Sequence, residues 1–296
     1  MNALFLCGPT ASGKSSAALA IAQEYHGEII NADALQLYRG LETITAAPSP
    51  EERALVPHHL FGVADPTDAL DAACYRKMAL PVLAEIEARG KLPIVVGGSG
   101  LYLKFLTHGP SDLPSDSDLR AELETLSLAE LWRRLEELDP VEAAQIDRHN
   151  PRYVQRALEV CLLTGRPVSE QRASFEIDTS HLRGLLLTWR PAPLEERIRL
   201  RTSEMLSGGA IEEVAAHPQL DENAAKAIGI PEIRRLLAGK INREECAELI
   251  VIATRQYAKR QRSWFRREKW LTAMAGDSSK DQFVTTAGAI LAGTES

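Results

Sequence analysis

The segment that most restricts the fold is a glycine-rich loop near the start of the chain. The apolar run 3–7 predicts a short buried strand and 14–25 predicts a helix, so the loop between them joins a strand to a helix. Its residues match the pattern G-x-x-x-x-G-K-[ST] and are Gly8, Pro9, Thr10, Ala11, Ser12, Gly13, Lys14 and Ser15. Such a loop turns its N–H groups toward a phosphate, with Lys14 adding charge and Ser15 a hydroxyl for Mg²⁺. The chain is therefore expected to bind a polyphosphate group.

Short apolar runs alternate with helical patterns over the first part of the chain. Further strands are predicted at 28–32, 60–64, 93–96 and 184–189, and a second long helix at 72–89. This alternation is typical of a parallel sheet that is covered by helices on both faces. The predicted fold class is α/β, a P-loop NTPase-like parallel sheet flanked by helices.

The strand pattern is interrupted in the middle of the chain, which has 296 residues and so room for one large domain or two smaller ones. After residue 107 only helices are predicted, at 118–126, 128–138, 140–147 and 152–164. We therefore predict an inserted all-helical subdomain at 110–182. The P-loop core domain with its C-terminal helices is predicted at 1–109 and 183–296.

Polar residues after the other strands bear on the type of reaction. Energy-coupled P-loop NTPases usually have an Asp at the end of a core strand, whereas strand 93–96 is followed by Gly97-Gly98-Ser99-Gly100. Asp33 follows strand 28–32, at the strand end where parallel sheets bind ligands, and can be a general base, a Mg²⁺ partner or a ribose acceptor. Its alternative is a helix cap or turn residue. The glycines around Ser99 are as typical of a packing turn as of a binding site.

The charge of the chain is unevenly distributed. Lys and Arg number 34 against 41 Asp and Glu, and this net charge of −7 argues against a general nucleic-acid binder. Residues 255–269, however, contain seven Lys and Arg and one acid, a net +6 that leaves −13 for the rest. Within a helix predicted at 242–267, a buried stripe would consist of Cys246, Ile250, Ala253, Tyr257 and Trp264, and the opposite ridge of Arg255, Lys259, Arg262 and Arg266. Unless this ridge is simply solvated, it predicts a phosphate-rich partner.

Composition excludes several other classes of protein. With 45% hydrophobic and 25% charged residues, the chain is not intrinsically disordered. No apolar run is long enough to span a bilayer and no secretory signal is present, so no membrane association is expected. The four cysteines form no C-x-x-C pair, which argues against a disulfide framework or a zinc site and predicts a cytoplasmic protein. His58-His59 has no partner at metal-binding spacing, so we expect a structural or solvated role.

In this order, the motifs resemble those of the tRNA dimethylallyltransferase family, also called tRNA isopentenyltransferases. The matching blocks are the P-loop, Asp33 to Arg39, Val96 to Leu103, Leu138 to Val160, and Thr254 to Gln261 with Trp264-Phe265-Arg266. Members of this family transfer a dimethylallyl group from dimethylallyl diphosphate, with Mg²⁺, to the exocyclic N6 amine of an adenine. That adenine lies just 3′ of the anticodon, in tRNAs that read codons beginning with U.

The resemblance implies a role for each matching residue. Asp33 would be the base near the adenine amine, Ser99 a hydroxyl partner in the same site, and Lys14 a further catalytic group. The diphosphate would lie in the loop from Gly8 to Ser15 with Arg201, and Ser15 would bind Mg²⁺. Contacts with the anticodon stem-loop of tRNA would come from Asp33, Ala34, Leu35, Gln36, Ser99, Arg120, Arg152, Tyr153, Val154, Gln155, Arg156, Lys226, Arg255, Lys259, Arg260, Gln261, Arg262, Trp264 and Arg266.

The chain departs from the family pattern at three places. Ser99 replaces a Thr, which preserves the hydroxyl. Ala47 stands where a Lys is common, so a phosphate contact there would be missing. Ile228-Gly229-Ile230-Pro231 differs from the usual Ile-Gly-Tyr, which bears on the tRNA contact around Lys226.

Two other functions remain open from the residues alone. A P-loop kinase acting on a small metabolite would turn over ATP without RNA. A prenyltransferase acting on free adenylate would need neither the insertion nor the basic ridge, and the patch at 148–156 would then be no more than a helix start. The resemblance favours tRNA prenyl transfer, and we expect the protein to be a monomer.

Overall fold

A computed structural model describes residues 2–109, 113–173 and 178–293. Contacts group the chain into two compact units, one of Met1–Gly109 with Thr179–Ser296 and one of Pro110–Asp178. The sequence placed the return to the core at 183, where a strand begins, and the contacts place it at 179. Across the described parts of the chain, no helix has both the length and the apolar character needed to cross a membrane.

The first unit is built on a single six-stranded sheet in which every pair of neighbouring strands is parallel. Its strands are β1 (Leu4–Cys7), β2 (Gly27–Asn31), β3 (His58–His59), β4 (Leu92–Gly97), β5 (Arg183–Thr188) and β6 (Leu271–Ala275). They lie in the order β3-β2-β4-β1-β5-β6. The α/β fold class predicted from the sequence is confirmed.

Two strands differ from the prediction. The strand predicted at 60–64 is wrong, because the short edge strand ends at His59 and Leu60 has a φ of 63°, which breaks an extended chain. Only an isolated bridge between Tyr38 and Ala64 continues the pairing there. The edge strand β6 was missed because only Leu271 is buried, the following residues alternate between partly buried and exposed positions, and the strand lacks a long apolar run.

Helices cover both faces of the sheet in the first unit. They are α1 (Lys14–Glu24), α2 (Pro50–Leu55), α3 (Ala72–Ala88), α4 (Gly100–His108), α10 (Pro191–Ser207), α11 (Ala210–Ala216), α12 (Glu222–Ala225), α13 (Ile230–Leu237), α14 (Arg243–Phe265) and α15 (Lys280–Ala292), with a 3₁₀ turn at Leu35–Leu37. Alternate side chains of β1 point to opposite faces of the sheet. Leu4 and Leu6 pack with side chains of α1 and α15, and Phe5 and Cys7 pack with those of α3, α4 and the end of α14.

Helix α14 carries a different buried stripe from the predicted one. Its buried residues are Cys246, Ile250, Val251, Thr254, Ala258, Gln261 and Phe265. Ala253, Tyr257 and Trp264 are only partly buried, so the prediction is confirmed for Cys246 and Ile250 alone. The buried face is rotated about the helix axis relative to the predicted one, because α14 packs against α10 on one side and against the glycine-rich turn after β4 on the other.

The second unit is helical. Its helices are α5 (Ser117–Glu124), α6 (Leu128–Leu138), α7 (Pro140–Gln145), α8 (Pro151–Thr164) and α9 (Val168–Ala173). Apolar side chains of α5, α6 and α8, among them Leu123, Leu135 and Leu158, form its own core. A buried acid, Glu159, lies on α8 beside this core.

Candidate active site

The phosphate-binding loop joins β1 to α1 in a strongly curled conformation. Gly8 and Gly13 have φ values of 152° and 91°, and even Ala11 has a φ of 61°. A glycine adopts these angles without strain, whereas other residues rarely do. The Lys14 ammonium donates hydrogen bonds to the carbonyl oxygens of Gly8 and Pro9, at 3.0 and 2.8 Å. The loop thus presents a cation and a series of N–H groups to the same cavity.

Two arginines of α10 hold the outer side of this loop. Arg201 Nη2 donates to Thr10 Oγ1 at 2.7 Å, and Arg197 Nε donates to the Ala11 carbonyl oxygen at 2.8 Å. The Arg197 guanidinium also lies over the Trp189 ring, 4.9 Å from its centroid. The sequence predicted Arg201 but missed Arg197. Their spacing of four residues on one helix face is the signal that would have found it.

Asp33 lies directly after β2, at the carboxyl edge of the sheet. Asn31 Oδ1 accepts the Asp33 N–H at 2.7 Å, and Asp33 Oδ1 accepts the Leu35 N–H at 3.1 Å. Across the neighbouring turn after β4, Ser99 Oγ accepts the Ala34 N–H at 3.1 Å. These contacts fix the backbone on both sides of the carboxylate, and no ion pair occupies it among the described residues.

Charge and burial act in opposite directions on this cluster. Burial raises the pKa of Asp33 above its ordinary value, although Lys14 and Arg201 both oppose the change. Burial lowers the pKa of Lys14 to about 8, with Asp33 opposing and Arg201 assisting. Burial also lowers the pKa of Arg201. The site therefore contains more positive charge than its own carboxylate balances, which suits an anionic ligand.

Two cavities meet at Asp33. One, of about 290 Å³, is lined by the phosphate-binding loop and reaches His58 and Phe61. The other, of about 480 Å³, is more apolar and includes Tyr38, Ile44, Tyr102, Met205 and Ile228 in its wall. Both cavities have in their walls Thr10, Asp33, Thr45 and Arg201. A group bound in one cavity can therefore react with a group in the other beside the Asp33 carboxylate.

The segment after Asp33 lines both cavities, as expected of a recognition segment. Ala34 and Leu35 contribute to the larger cavity and Gln36 to the smaller one. Gln36 Nε2 donates to the carbonyl oxygens of Thr45 and Ala46 at 3.0 and 3.1 Å, which fixes its side chain. Of the more distant predicted contacts, Lys226 also lines the larger cavity and forms an ion pair with Glu222.

The predicted ridge on α14 is exposed but is not wholly without acidic neighbours. Lys259 and Arg266 face solvent, and Arg262 is partly buried. Arg255 forms an ion pair with Glu195 of α10 at 3.1 Å. The ridge therefore keeps a positive surface while one of its members is neutralised.

The other predicted contacts on α14 lie at the larger cavity or inside the protein. Arg260 is exposed at the wall of the larger cavity, which Tyr257 of the predicted buried stripe also lines, and the Trp264 ring lies against Gly100. The Gln261 side chain is only 4% exposed, and its amide groups bond to the main chain of Thr10 and Gly98. In this structure its side chain is occupied inside the protein and does not face solvent.

Within the second unit the predicted tRNA residues divide into anchored and exposed side chains. Val154 is fully buried in the helical core. Arg120 and Arg156 both pair with Glu159, and Gln155 Nε2 donates to the Arg120 carbonyl oxygen at 2.9 Å. Arg152 and Tyr153 are exposed, and Arg120 is exposed as well despite its ion pair.

Metal-binding side chains are few. Over the described ranges no group of three or more His, Cys, Asp or Glu residues is placed to hold a metal ion. His58 lines the smaller cavity, with Nδ1 2.8 Å from the Val56 carbonyl oxygen, and His59 pairs with the buried Glu28 at 2.7 Å. Ser15, the hydroxyl that follows Lys14, also lines the smaller cavity and can offer one oxygen ligand to a divalent cation.

Comparison with known proteins gives consistent matches. A family model described as IPP transferase matches residues 36–268, and one described as isopentenyl transferase matches residues 1–57. A tRNA dimethylallyltransferase of Akkermansia muciniphila is 42% identical over 277 residues, covering 93% of this chain and 94% of that protein. The tRNA dimethylallyltransferase of Geobacter metallireducens is 42% identical over 291 residues, covering 94% of each.

Solved structures agree with these matches. The tRNA isopentenylpyrophosphate transferase of Bacillus halodurans has a TM-score of 0.72 at 32% identity, covering 99% of this chain and 96% of that one. A eukaryotic dimethylallyltransferase, described as acting on tRNA, has a TM-score of 0.80 at 28% identity, covering 97% of this chain and 77% of that one.

Proposed function

The chain belongs to the IPP transferase family, and we propose that its two joined cavities hold the two substrates of a prenyl transfer to tRNA. Its relatives are tRNA dimethylallyltransferases, so it is a prenyltransferase that modifies tRNA. The observation that carries the proposed course of the reaction is the pair of cavities that share Asp33. The kinase and free-adenylate alternatives are not favoured by these relatives.

The donor in this proposal is dimethylallyl diphosphate. Its diphosphate would lie in the smaller cavity, against the N–H groups of the loop, the Lys14 ammonium and the Arg201 guanidinium. Ser12 Oγ is buried there without a hydrogen-bond partner among the described residues, as expected where an anion completes the site. Lys14 and Arg201 both have lowered pKa values because of burial, and a bound diphosphate would favour their charged forms.

The acceptor would be the N6 amine of the adenine just 3′ of the anticodon, inserted into the larger cavity. A flipped base needs apolar and aromatic walls, which Tyr38, Tyr102 and Ile228 supply. The exposed cations of α14 would contact phosphates of the anticodon stem-loop. Specificity for tRNAs that read codons beginning with U is part of the same proposal.

The reaction exchanges one bond at the transferred carbon and moves one proton. The N6 lone pair attacks the first carbon of the dimethylallyl group, the bond from this carbon to the diphosphate oxygen breaks, and the electron pair leaves with the diphosphate. The N6 proton passes to the Asp33 carboxylate. A raised pKa suits Asp33 to accept this proton, while Lys14 and Arg201 stabilise the charge that develops on the leaving group.

Magnesium fits the residues present. Mg²⁺ prefers oxygen ligands and usually binds through few protein groups and substrate phosphates, and the loop offers Ser15 at the start of α1. When bound, Mg²⁺ would supply charge neutralisation on the diphosphate. The absence of a multi-acid cluster among the described residues agrees with a metal held mainly by the donor.

The proposal is tested by incubating the purified chain with dimethylallyl diphosphate, Mg²⁺ and an unmodified anticodon stem-loop. We expect one dimethylallyl group on the adenine 3′ of the anticodon, detected by mass spectrometry after nuclease digestion. A stem-loop with guanine at that position is the matched control and should stay unmodified. Absence of product with the adenine substrate, or ATP hydrolysis without RNA, would contradict the proposal.

A monomeric state in the cytoplasm also belongs to the proposal, and light scattering tests whether the protein is a monomer.

A further inference from the structure

One buried amide on α14 connects the two loops that form the active site. Gln261 Oε1 accepts the Thr10 N–H at 2.8 Å, and Gln261 Nε2 donates to the Gly98 carbonyl oxygen at 2.9 Å. Thr10 belongs to the loop after β1 and Gly98 to the turn after β4. Because β1 and β4 are neighbouring strands, the amide spans two adjacent strand ends at the carboxyl edge of the sheet.

Each of the two residues bonded by the Gln261 amide contacts or adjoins a residue that interacts with a group used in the reaction. The Thr10 hydroxyl accepts a hydrogen bond from Arg201, which lies beside the diphosphate position. Gly98 precedes Ser99, whose hydroxyl accepts the N–H of Ala34, the residue after Asp33. The amide of Gln261 thus connects the donor side of the site with the loop that carries the base, without touching either substrate position itself.

The packing around the bridge is unusually close. A Cβ placed on Gly98 would lie 2.2 Å from Gln261 Nε2, and a Cβ placed on Gly100 would lie 2.3 Å from the Trp264 ring. A side chain at position 100 would therefore collide with the Trp264 ring, and one at position 98 would push the Gln261 amide out of its present place. Tyr257, Gln261 and Trp264 follow one another at helical spacing, so a single face of α14 makes these contacts.

From this geometry we propose that Gln261 is a positioning residue that sets the separation between the phosphate-binding loop and Asp33. The proposal rests on the prenyl transfer proposed above and assigns to Gln261 an internal role in place of the tRNA contact implied by family resemblance. The side-chain amide provides an acceptor for Thr10 and a donor for Gly98 in one planar group. Glutamate would place an acceptor against the Gly98 carbonyl oxygen, and methionine would provide neither bond.

The test is a steady-state analysis of Gln261→Met and Gln261→Glu with dimethylallyl diphosphate and the unmodified stem-loop. We expect kcat to fall about 10- to 100-fold, because a small displacement of reacting groups has an effect of this size, while the KM for tRNA stays within about twofold. Ser263→Ala, at an exposed position two residues away on the same helix, is the control and should match the wild type. A raised KM for tRNA with unchanged kcat would overturn the inference, because it would make Gln261 an RNA contact.

A double-mutant cycle separates positioning from a general loss of structure. Gly98→Ala should lower kcat in the wild type, because the added Cβ displaces the Gln261 amide. In a Gln261→Ala background the same change should have a much smaller further effect, since the contact at 2.2 Å is gone and only the Gly8 carbonyl oxygen, 3.2 Å from the added Cβ, stays close. If the two substitutions lower kcat independently, so that their fold-changes multiply in the double variant, the inference is overturned. If the wild type itself fails to prenylate the stem-loop, the proposed function fails, whereas an active wild type with unaffected Gln261 variants contradicts the inference alone.

Discussion

Two carboxylates, the partly buried Asp33 of the first unit and the buried Glu159 of the second, lie in opposite electrostatic environments. Asp33 lies at the carboxyl edge of the sheet without an ion pair among the described residues, and desolvation raises its pKa. Glu159 in the helical unit accepts hydrogen bonds from Arg120, Arg156 and the Asp116 N–H. Burial would raise the pKa of Glu159 too, but these hydrogen bonds outweigh it and lower the pKa.

The difference separates a carboxylate that can take up a proton from one that maintains a fold. A base needs an ionised form that is not already satisfied, and the environment of Asp33 provides it. A carboxylate that already accepts hydrogen bonds from two arginines is a weak proton acceptor, because taking up a proton would break those bonds. Glu159 in this way orients two arginines of its own unit, both of which belong to the predicted tRNA-binding set.

The largest expected effect comes from removing the Asp33 carboxylate, which has no ion pair among the described residues. Asp33→Asn keeps the shape of the side chain but cannot take the N6 proton, so the single-turnover rate should fall by about 10²- to 10⁴-fold. Because burial disfavours ionised Asp33, thermal stability should not decrease, and its gain over the wild type should grow as pH rises through the raised pKa. Asp281→Asn, at an exposed position on α15, is the control. An unchanged rate would remove Asp33 from the mechanism.

The cation beside Asp33 offers the next test. Burial lowers the pKa of Lys14 to about 8, so its charge is lost as pH rises through that value in the free enzyme. We expect kcat/KM for dimethylallyl diphosphate to decline above pH 8, by about tenfold per pH unit. In Lys14→Arg the guanidinium stays charged, so this decline should disappear whatever the absolute activity. A wild-type profile that is flat between pH 7.5 and 9.5 would contradict the prediction.

A smaller effect, on stability rather than rate, is expected for the satisfied carboxylate. Glu159→Gln should lower the free energy of unfolding by about 2 kcal/mol, since charged hydrogen bonds to Arg120 and Arg156 are lost. The lowered pKa means that this contribution is fully present above the ordinary value of 4.5 and is lost as pH falls through the lower folded value. Urea unfolding at several pH values measures it.

The matched control for this test is Glu170→Gln, which removes an exposed pair with Arg166 at 3.8 Å and should change stability little. A Glu159→Gln variant that unfolds normally but shows the rate loss of Asp33→Asn would erase the distinction between the two carboxylates.

The smallest effect is expected from the exposed cations of α14. Charge reversal at Lys259 and Arg262 should raise the KM for tRNA and make binding less dependent on salt, by about one unit of slope for each lost phosphate contact. A titration of stem-loop binding against salt concentration measures this slope. Lys280→Glu, at an exposed position on α15, should leave it unchanged. An unaltered slope in the α14 variant would separate the ridge from RNA binding.

The phosphate-binding loop could be predicted residue by residue because its motif specifies backbone geometry. The position of Asp33 followed from the rule that parallel strands end at the ligand edge. The edge strand β6 could not be predicted in this way, since its half-exposed sequence lacks a distinct apolar run. Residues 60–64 looked like a strand, but the left-handed conformation of Leu60 is set by the surrounding loop and not by composition.

Contacts between distant segments were the least predictable part of the site. Arg197 and Gln261 bind the loop across 186 and 251 residues of sequence. Helical spacing alone does place Gln261 with Tyr257 on one face, whereas family resemblance assigned it to RNA. Buried polar side chains are difficult to recognise because their partners are main-chain atoms, which carry no sequence signal.

The order of strands in the sheet has a consequence for synthesis on the ribosome. In β1, Leu4 pairs with Ile94 of β4 on one side and with Arg183 of β5 on the other. The ribosome therefore synthesises the strand that pairs on the β4 side well before the strand that pairs on the β5 side. Translation proceeds from the N-terminus, and early segments fold as they emerge. A nascent chain would therefore carry the phosphate-binding loop long before Arg201 and Gln261 exist. Incomplete chains would be inactive, so the pool of modified tRNA would reflect only enzyme molecules whose translation has passed α14.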